Sequence, residues 1–401
     1  MGQSHLLSVA GFRAGAAYAG IRSKNQPDVG ILICDRSATA AAVFTRNKVA
    51  AAPVVIGRKH VGRGKLRGVV VNAGNANACT GRQGMRDAIA MCQFAATHAE
   101  CDPHEFLPSS TGIIGHKLPM DKVEHGIAAA FDYLGDSEEH ALRFADAILT
   151  TDTRRKQACA EIKLGRQRVR IAGVCKGSGM IGPRLGLHAT MLAYILTDAA
   201  VAAPVLRKLL NECAEASFNA VTVDDHASTN DTACILASGA SGASVKGVAD
   251  VKKFAAGLMQ VCQSLAYQIA ADGEGASKVV RIDITGAATE AAAKAIARQI
   301  ANSPLVKCAM NGNDPNWGRI VSAAGYAGVP FDPSKAVLKL QGATVFRKGE
   351  PTDFNATQVS HSLAAPEVKV ELACGAGKGR STCWTCDLSR EYVTINADYH
   401  T

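Results

Sequence analysis

The sequence is short of aromatic residues, which make up 5% of its 401 positions, and it has no run of five or more cations. Nucleic-acid surfaces combine stacked aromatics with clustered basic residues, so a net charge of +9 does not by itself imply such a partner. A basic surface that attracts small anionic metabolites accounts for the same charge. No stretch of about 18 apolar residues occurs, which excludes a membrane-spanning helix. The first twenty residues lack a basic start and are interrupted by Arg13, so an export signal is not expected. Leu6 stands where a myristoylation motif requires Ser or Thr. There is neither a Pro/Ser-rich linker nor a repeat at a solenoid period, and domain boundaries are not visible as shifts of composition.

What is present is ordinary globular material, 47% hydrophobic and 20% charged, with length for roughly two to three domains. The basic excess is confined to one side of the chain: residues 1–189 carry a net +10 and residues 190–401 a net −1. Thirteen cysteines, an odd number without regular spacing, imply reduced thiols in a cytoplasmic protein rather than disulfides.

Helical periodicity predicts helices over Ala203–Ser217, Val251–Ala270 and Ala287–Ala301, with weaker patterns at Gln83–His98 and Ser137–Leu149. Strand-like runs are Gly68–Asn72, Ile162–Cys175, Lys278–Ile284, Ala336–Leu340, Glu367–Leu372 and Tyr392–Asn396. Ile162–Cys175 reads as a hairpin turning at Gly165 and delivering the chain into the glycine-rich segment Lys176–Pro183. Strands and helices mix without strict alternation, which implies an α+β or layered sandwich architecture rather than a doubly wound sheet.

Several motifs suggest chemistry. Gly177–Gly182 matches G-x-G-x-x-G with Asp198 downstream, but Pro183-Arg184-Leu185-Gly186-Leu187 intervenes where a dinucleotide loop opens into a helix. Cys383-Trp384-Thr385-Cys386 is a single C-x-x-C with no second half-site, so it cannot close a tetrahedral zinc, and no metal is expected. His226, beside Asp224 and Asp225, is a candidate base against the plainer reading of a hydrogen-bonded loop histidine. Two small-residue segments, Ser109–Gly115 and His188–Leu192, read as turns that gather hydroxyls and backbone N–H groups. Acyl transfer needs a nucleophile, a base and donors aimed at the oxyanion. A threonine gains an internal base when its own α-amino group is free, since that amine titrates at about 7.7–8.0. The plain alternative for both segments is a turn with a capping hydroxyl.

The order of motifs favours the chemical reading. Gly11-Phe12-Arg13, Ala42–Asn47, Asn72–Gly81 (NAGNANACTG), Ser109–Gly115 (SSTGIIG) and Thr150–Thr153 are followed by Lys176–Pro183 (KGSGMIGP), Ala189–Asp198 (ATMLAYILTD) and Ser228–Thr232 (STNDT). Gly273-Glu274-Gly275, Asn313–Ile320 (NDPNWGRI) and Asn396–Thr401 (NADYHT) complete the set. In these blocks the sequence resembles, nearly end to end, the ornithine acetyltransferases, also called glutamate N-acetyltransferases or arginine-biosynthesis bifunctional proteins.

The resemblance implies an αββα-type layered sandwich and a precursor that cuts itself between Ala189 and Thr190. Residues 1–189 and 190–401 would remain one intertwined catalytic unit, assembled as an α2β2 heterotetramer in the cytoplasm. It implies ping-pong transfer of acetyl from N2-acetylornithine to glutamate through Thr190, with no bound cofactor and with acetyl-CoA as an open second donor. Thr111 and Gly112 correspond to the oxyanion hole, and Thr153, Lys176, Thr190, Glu274, Asn396 and Thr401 to substrate contacts. Lys176 suits a substrate carboxylate and Glu274 the ornithine ammonium. Two departures are present: Arg184–His188 lengthens the loop before the cleavage site, and His226 stands in a block where the family carries Asp-Gly-Asp-Thr. Two rival readings are an aminopeptidase-like amidohydrolase with a similar nucleophile, and a dinucleotide-binding protein built on Gly177–Gly182.

Overall fold

The structure, a computed structural model, describes residues 5–22, 25–182 and 191–398. It divides into two compact units, one comprising residues up to Asn219 with His226–Leu265, the other Ala220–Asp225 with residues from Ala266 onward.

The first unit contains β1 (Phe12–Ala17), β2 (Val29–Phe44), α1 (Ala52–Val61), β3 (Lys65–Asn75), α2 (Gly81–Ala99), β4 (Phe106–Ile113), α3 (Met120–Asp132) and α4 (Glu138–Ala147). It continues with β5 (Lys156–Leu164), β6 (Gln167–Lys176), β7 (Leu192–Thr197), α5 (Ala203–Glu215), β8 (Thr232–Ala237) and most of α6 (Gly247–Ala271). Its sheet runs β4-β3-β2-β8-β7-β6-β5, with β1 also paired to β2. The β3–β4 and β7–β8 pairs are parallel and the others antiparallel.

Alternation along β2 builds two cores. Ile31 and Ile33 pack with Val70 against Met91, Cys92 and Ala95 of α2 and Val123 and Ile127 of α3. Leu32 and Cys34 face the other way, with Val69, Val71 and the Phe144 ring of α4. Period two sends neighbours to opposite faces, and helices cover both. The expected hairpin is present: Leu164 pairs with Gln167 across Gly165, at φ +60°, and the ladder extends to Lys156 opposite Cys175.

The second unit carries β9 (Val279–Ala287), α7 (Glu290–Asn302), α8 (Pro304–Asn311), α9 (Trp317–Gly325), β10 (Val337–Leu340), β11 (Ala343–Arg347) and β12 (Glu350–Pro351). Then come α10 (Ala356–Ser362), β13 (Glu367–Ala373), β14 (Gly379–Cys386) and α11 (Arg390–Asp398). Its sheet order is β12-β11-β10-β13-β9-β14, with β13 and β9 parallel. Thr289 caps α7 by accepting the Ala292 N–H at 3.1 Å, and Ser303 followed by Pro304 opens α8. Ile296 and Ile300 of α7 pack on Ile282 and Ile284 of β9. Each unit is thus a mixed sheet with helices layered on it, and the chain is of the α+β class.

Two local expectations are corrected. Tyr392–Asn396 is helical, within α11, although Tyr-Val-Thr-Ile is strand-prone. Ser389 Oγ accepts the Tyr392 N–H at 3.4 Å at the helix start, and the half-buried residues Tyr392 and Ile395 are three apart, a helical spacing. Ser109–Gly115 is not a plain turn, because its first five residues complete β4. The segment pairs with β3 through an irregular register in which Thr111 opposes both Ala73 and Asn75.

Candidate active site

The end of β4 is shaped by a ladder of asparagines. Ser110 Oγ donates to Asn72 Oδ1 at 2.6 Å, and Asn72 Nδ2 donates to the Asn75 carbonyl at 2.9 Å. Asn75 in turn donates to the His116 and Lys117 carbonyls at 3.2 and 3.0 Å and accepts the Asn77 N–H at 2.8 Å. The block Asn72–Gly81 is therefore a side-chain scaffold for the backbone leaving β3 and β4. Gly112 sits in this irregularity at φ +133°, and a Cβ there would lie 2.3 Å from the Gly74 carbonyl carbon. Only glycine allows the two backbones so close.

Thr111 and Lys176 meet within the first unit. Both are buried, and Lys176 Nζ donates to Thr111 Oγ1 at 3.3 Å. An ammonium has no acceptor, so Thr111 must accept in this contact, and its own O–H is turned away from Lys176. A hydroxyl donor beside a fixed cation is a chemically sensible arrangement for stabilising a developing oxyanion.

Lys176 is embedded in a buried charge cluster. The Asp152 Oδ1 accepts from Lys156 Nζ at 2.6 Å and from the Gly177 N–H at 2.6 Å, while its Oδ2 accepts the Thr150 N–H at 3.0 Å. The Lys156 and Asp152 side chains are both wholly shielded from solvent. Burial pushes the Asp152 carboxyl up, but the charges of Lys176 and Lys156 and the hydrogen bonds from Lys156 and Gly177 more than offset it, bringing it down to about 2. Asp152 thus stays ionised and holds the backbone one residue beyond Lys176. Neither Asp152 nor Lys156 was singled out by the sequence; the available signal was an acid four residues before a lysine inside the block that contains Thr153. Thr153 itself is exposed and lines an open hollow with Asp146, Leu149 and Arg155.

Glu274 and Asn396 meet within the second unit. Asn396 Nδ2 donates to Glu274 Oε2 at 2.9 Å and to the Tyr392 carbonyl at 2.9 Å. The flanking glycines have steric reasons. A Cβ on Gly275 would come within 2.5 Å of the Tyr392 nitrogen, and one on Gly273 within 2.8 Å of Cys386 Sγ. Ser389 Oγ also donates to the Gly275 carbonyl at 2.6 Å, so the Glu274 loop is seated on α11. Ala189, Thr190, the Arg184–His188 loop and Thr401 lie outside the described residues.

The remaining motifs have other surroundings. The Asp225 carboxylate pairs with Arg298 at 3.1 Å and Asp224 accepts from the Tyr392 hydroxyl at 3.3 Å, while the His226 side chain is exposed. Cys383 and Cys386 are buried on β14, and burial pushes the Cys383 thiol up to about 11, as expected for a structural rather than a reactive thiol. No group of three or more His, Cys, Asp or Glu among the described residues could hold a metal ion. Nor, among them, is any helix long and apolar enough to cross a membrane. Residues 183–190, where a dinucleotide loop at Gly177–Gly182 would open into a helix, lie outside the described residues.

The model of the ArgJ family matches residues 13–401. The arginine biosynthesis bifunctional protein ArgJ of Rhodopirellula baltica is 42% identical over 407 residues, covering 99% of this chain and 97% of that protein. The protein of the same name from Dehalococcoides mccartyi is 45% identical over 395 residues, covering 98% and 96% respectively. Among solved structures, an ornithine acetyltransferase of Mycobacterium tuberculosis, complexed with ornithine, is 33% identical, covering 45% of this chain and 95% of that one, at a TM-score of 0.41.

Proposed function

Because this chain belongs to the ArgJ family, we propose that it transfers acetyl from N2-acetylornithine to L-glutamate, giving ornithine and N-acetylglutamate for arginine biosynthesis. The observation that carries this reading is the match to that family from residue 13 to residue 401, with relatives of that name aligned over nearly their whole length.

In the proposed mechanism the chain first cleaves itself between Ala189 and Thr190. The freed α-amine of Thr190 then acts as base for its own hydroxyl, which attacks the acetyl carbonyl of N2-acetylornithine. Ornithine leaves with the proton, and glutamate takes the acetyl group from the ester in the second half-reaction. Thr111 Oγ and the Gly112 N–H are the proposed donors to the tetrahedral oxyanion, and Lys176 the partner of a substrate carboxylate. Their support is the buried Lys176–Thr111 contact and the glycine-dependent backbone at Gly112. Glu274 is assigned the ornithine ammonium, with Asn396 orienting its carboxylate; Thr153 and Thr401 complete the proposed contacts.

The products of cleavage, 1–189 and 190–401, are proposed to stay together as an α2β2 heterotetramer in the cytoplasm. Strands from both sides of the cut share one sheet, since β6 pairs with β7 from Ile171–Thr197 to Lys176–Leu192. No cofactor is needed for this chemistry, and acetyl-CoA is the second donor to be assayed with glutamate. Denaturing mass spectrometry should find two fragments in place of a 41.7 kDa chain. Ornithine release should require glutamate, whereas glutamate-independent release would favour an amidohydrolase. An intact chain with full activity would refute the cleavage reading.

A further inference from the structure

The Ser228–Thr232 block takes no part in the chemistry above, yet Ser228, Thr229, Asn230 and Asp231 are all buried just before β8. Its backbone is anchored. The Thr45 hydroxyl donates to the Ser228 carbonyl at 2.7 Å, the Ala51 N–H to the Thr229 carbonyl at 2.9 Å and the Thr45 N–H to the Asp231 carbonyl at 2.9 Å.

From this fixed strap two adjacent side chains reach different segments of the chain. Asn230 Nδ2 donates to the Ala76 carbonyl at 2.6 Å and to the Ser110 carbonyl at 2.9 Å, the latter belonging to the peptide that leads into Thr111. Its Oδ1 accepts from the Thr229 hydroxyl, which fixes the polarity of the amide. Asp231 Oδ1 accepts the Met191 N–H at 2.6 Å, and the Thr232 N–H donates to the Met191 carbonyl at 3.0 Å. Met191 follows Thr190 in the chain. The strap therefore grips the residue before Thr111 and the residue after Thr190.

A buried polar network specifies one arrangement of the segments it joins. We propose that Asn230 and Asp231 are positioning residues that set the separation of the Thr111 donor and the Thr190 nucleophile, acting through Ser110 and Met191 without touching substrate. This rests on the assignment of Thr190 and Thr111 made above.

Misplacement of reacting groups by about 1 Å can cost on the order of 100-fold in rate. Asn230→Asp would turn acceptors toward the Ala76 and Ser110 carbonyls, and Asp231→Leu would remove the acceptor of the Met191 N–H with a side chain of similar shape. In the full-length chain, self-cleavage, melting temperature, and kcat and KM per cleaved molecule are to be measured for both variants. Expected is a fall of roughly 10- to 100-fold in kcat or in cleavage rate, with KM within about twofold of wild type. A merely structural role would lower the melting temperature and the yield of folded protein while leaving the cleavage rate and kcat per cleaved molecule unchanged, and that result overturns the proposal. Should both variants fail to fold, Thr229→Val carries the test alone: it removes the hydroxyl that orients the Asn230 amide, and a wild-type kcat together with a wild-type cleavage rate overturns the proposal. Thr190→Ala separates the two levels. Retained exchange in that variant would defeat the underlying mechanism, whereas an inactive Thr190→Ala beside wild-type strap variants would defeat only the strap.

Discussion

Lys176 Nζ at the end of β6 lies 3.3 Å from Thr111 Oγ1 on β4, although 65 residues separate them in sequence. The contact joins two motifs that are individually commonplace, a lysine at a strand end and a serine–threonine run before a glycine. Together they make a buried contact between a cation and a directed hydroxyl.

Replacing Lys176 with Met keeps a long stem and removes the cation. A hydrogen bond to a charged group is worth about 1.5–3 kcal/mol, so kcat/KM for both acetylornithine and glutamate should fall by roughly 10- to 150-fold. Lys176→Arg should not restore it, because a planar fork cannot replace a compact ammonium in a buried setting. Steady-state kinetics with each substrate varied in turn would check this, and a kcat/KM within threefold of wild type in Lys176→Met would remove Lys176 from the site.

Asp152 makes stability depend on acid. Its folded-state pKa of about 2 lies below the ordinary 3.8, so its contribution is fully present above about pH 4 and is lost as the pH falls through about 2. The shift corresponds to about 2 kcal/mol. In urea titrations, the stability gap between wild type and Asp152→Asn should therefore narrow between about pH 4 and pH 2. A gap that stays constant over that range would contradict the ionised, paired carboxylate.

Gly112→Ala tests the backbone at the proposed oxyanion hole. The new Cβ would meet the Gly74 carbonyl carbon at 2.3 Å, and the φ of +133° is strained for any L-residue with a side chain. Strain and overpacking each cost about 1–3 kcal/mol, so the melting temperature should drop and turnover should be lost together. Calorimetry and the acetyl-exchange assay on the same sample would decide it; a fully active, equally stable variant would rule out this geometry.

Glu274→Gln should discriminate between the two substrates. If Glu274 accepts the ornithine ammonium, the KM for acetylornithine should rise about tenfold, the effect of losing one charged contact of about 1.4 kcal/mol. The KM for glutamate should change much less, because glutamate presents no side-chain ammonium. Equal changes for both substrates would falsify the assignment.

Much of the second unit was legible because its elements obey a single period. Ile296 and Ile300 recur on one helical face of α7, and Glu367–Ala373 alternates along β13, so helix and strand announce themselves. In the first unit β7 and β8 are buried at every position, so no alternation marks them. The segment at Tyr392–Asn396 misleads for another reason: its strand propensity is real, and a serine cap with contacts along one helical face overrides it.

The sequence alone determined the class of fold and, through ordered short motifs, the family and the residue types that acyl transfer requires, because backbone period and side-chain chemistry are local properties. It could not show that Lys176 reaches Thr111, that Asp152 binds the Gly177 N–H, or that Asn230 and Asp231 grip Ser110 and Met191. Those relations span up to 120 residues of chain, and hydrogen bonds of that range exist only once the sheet order has placed the strands side by side.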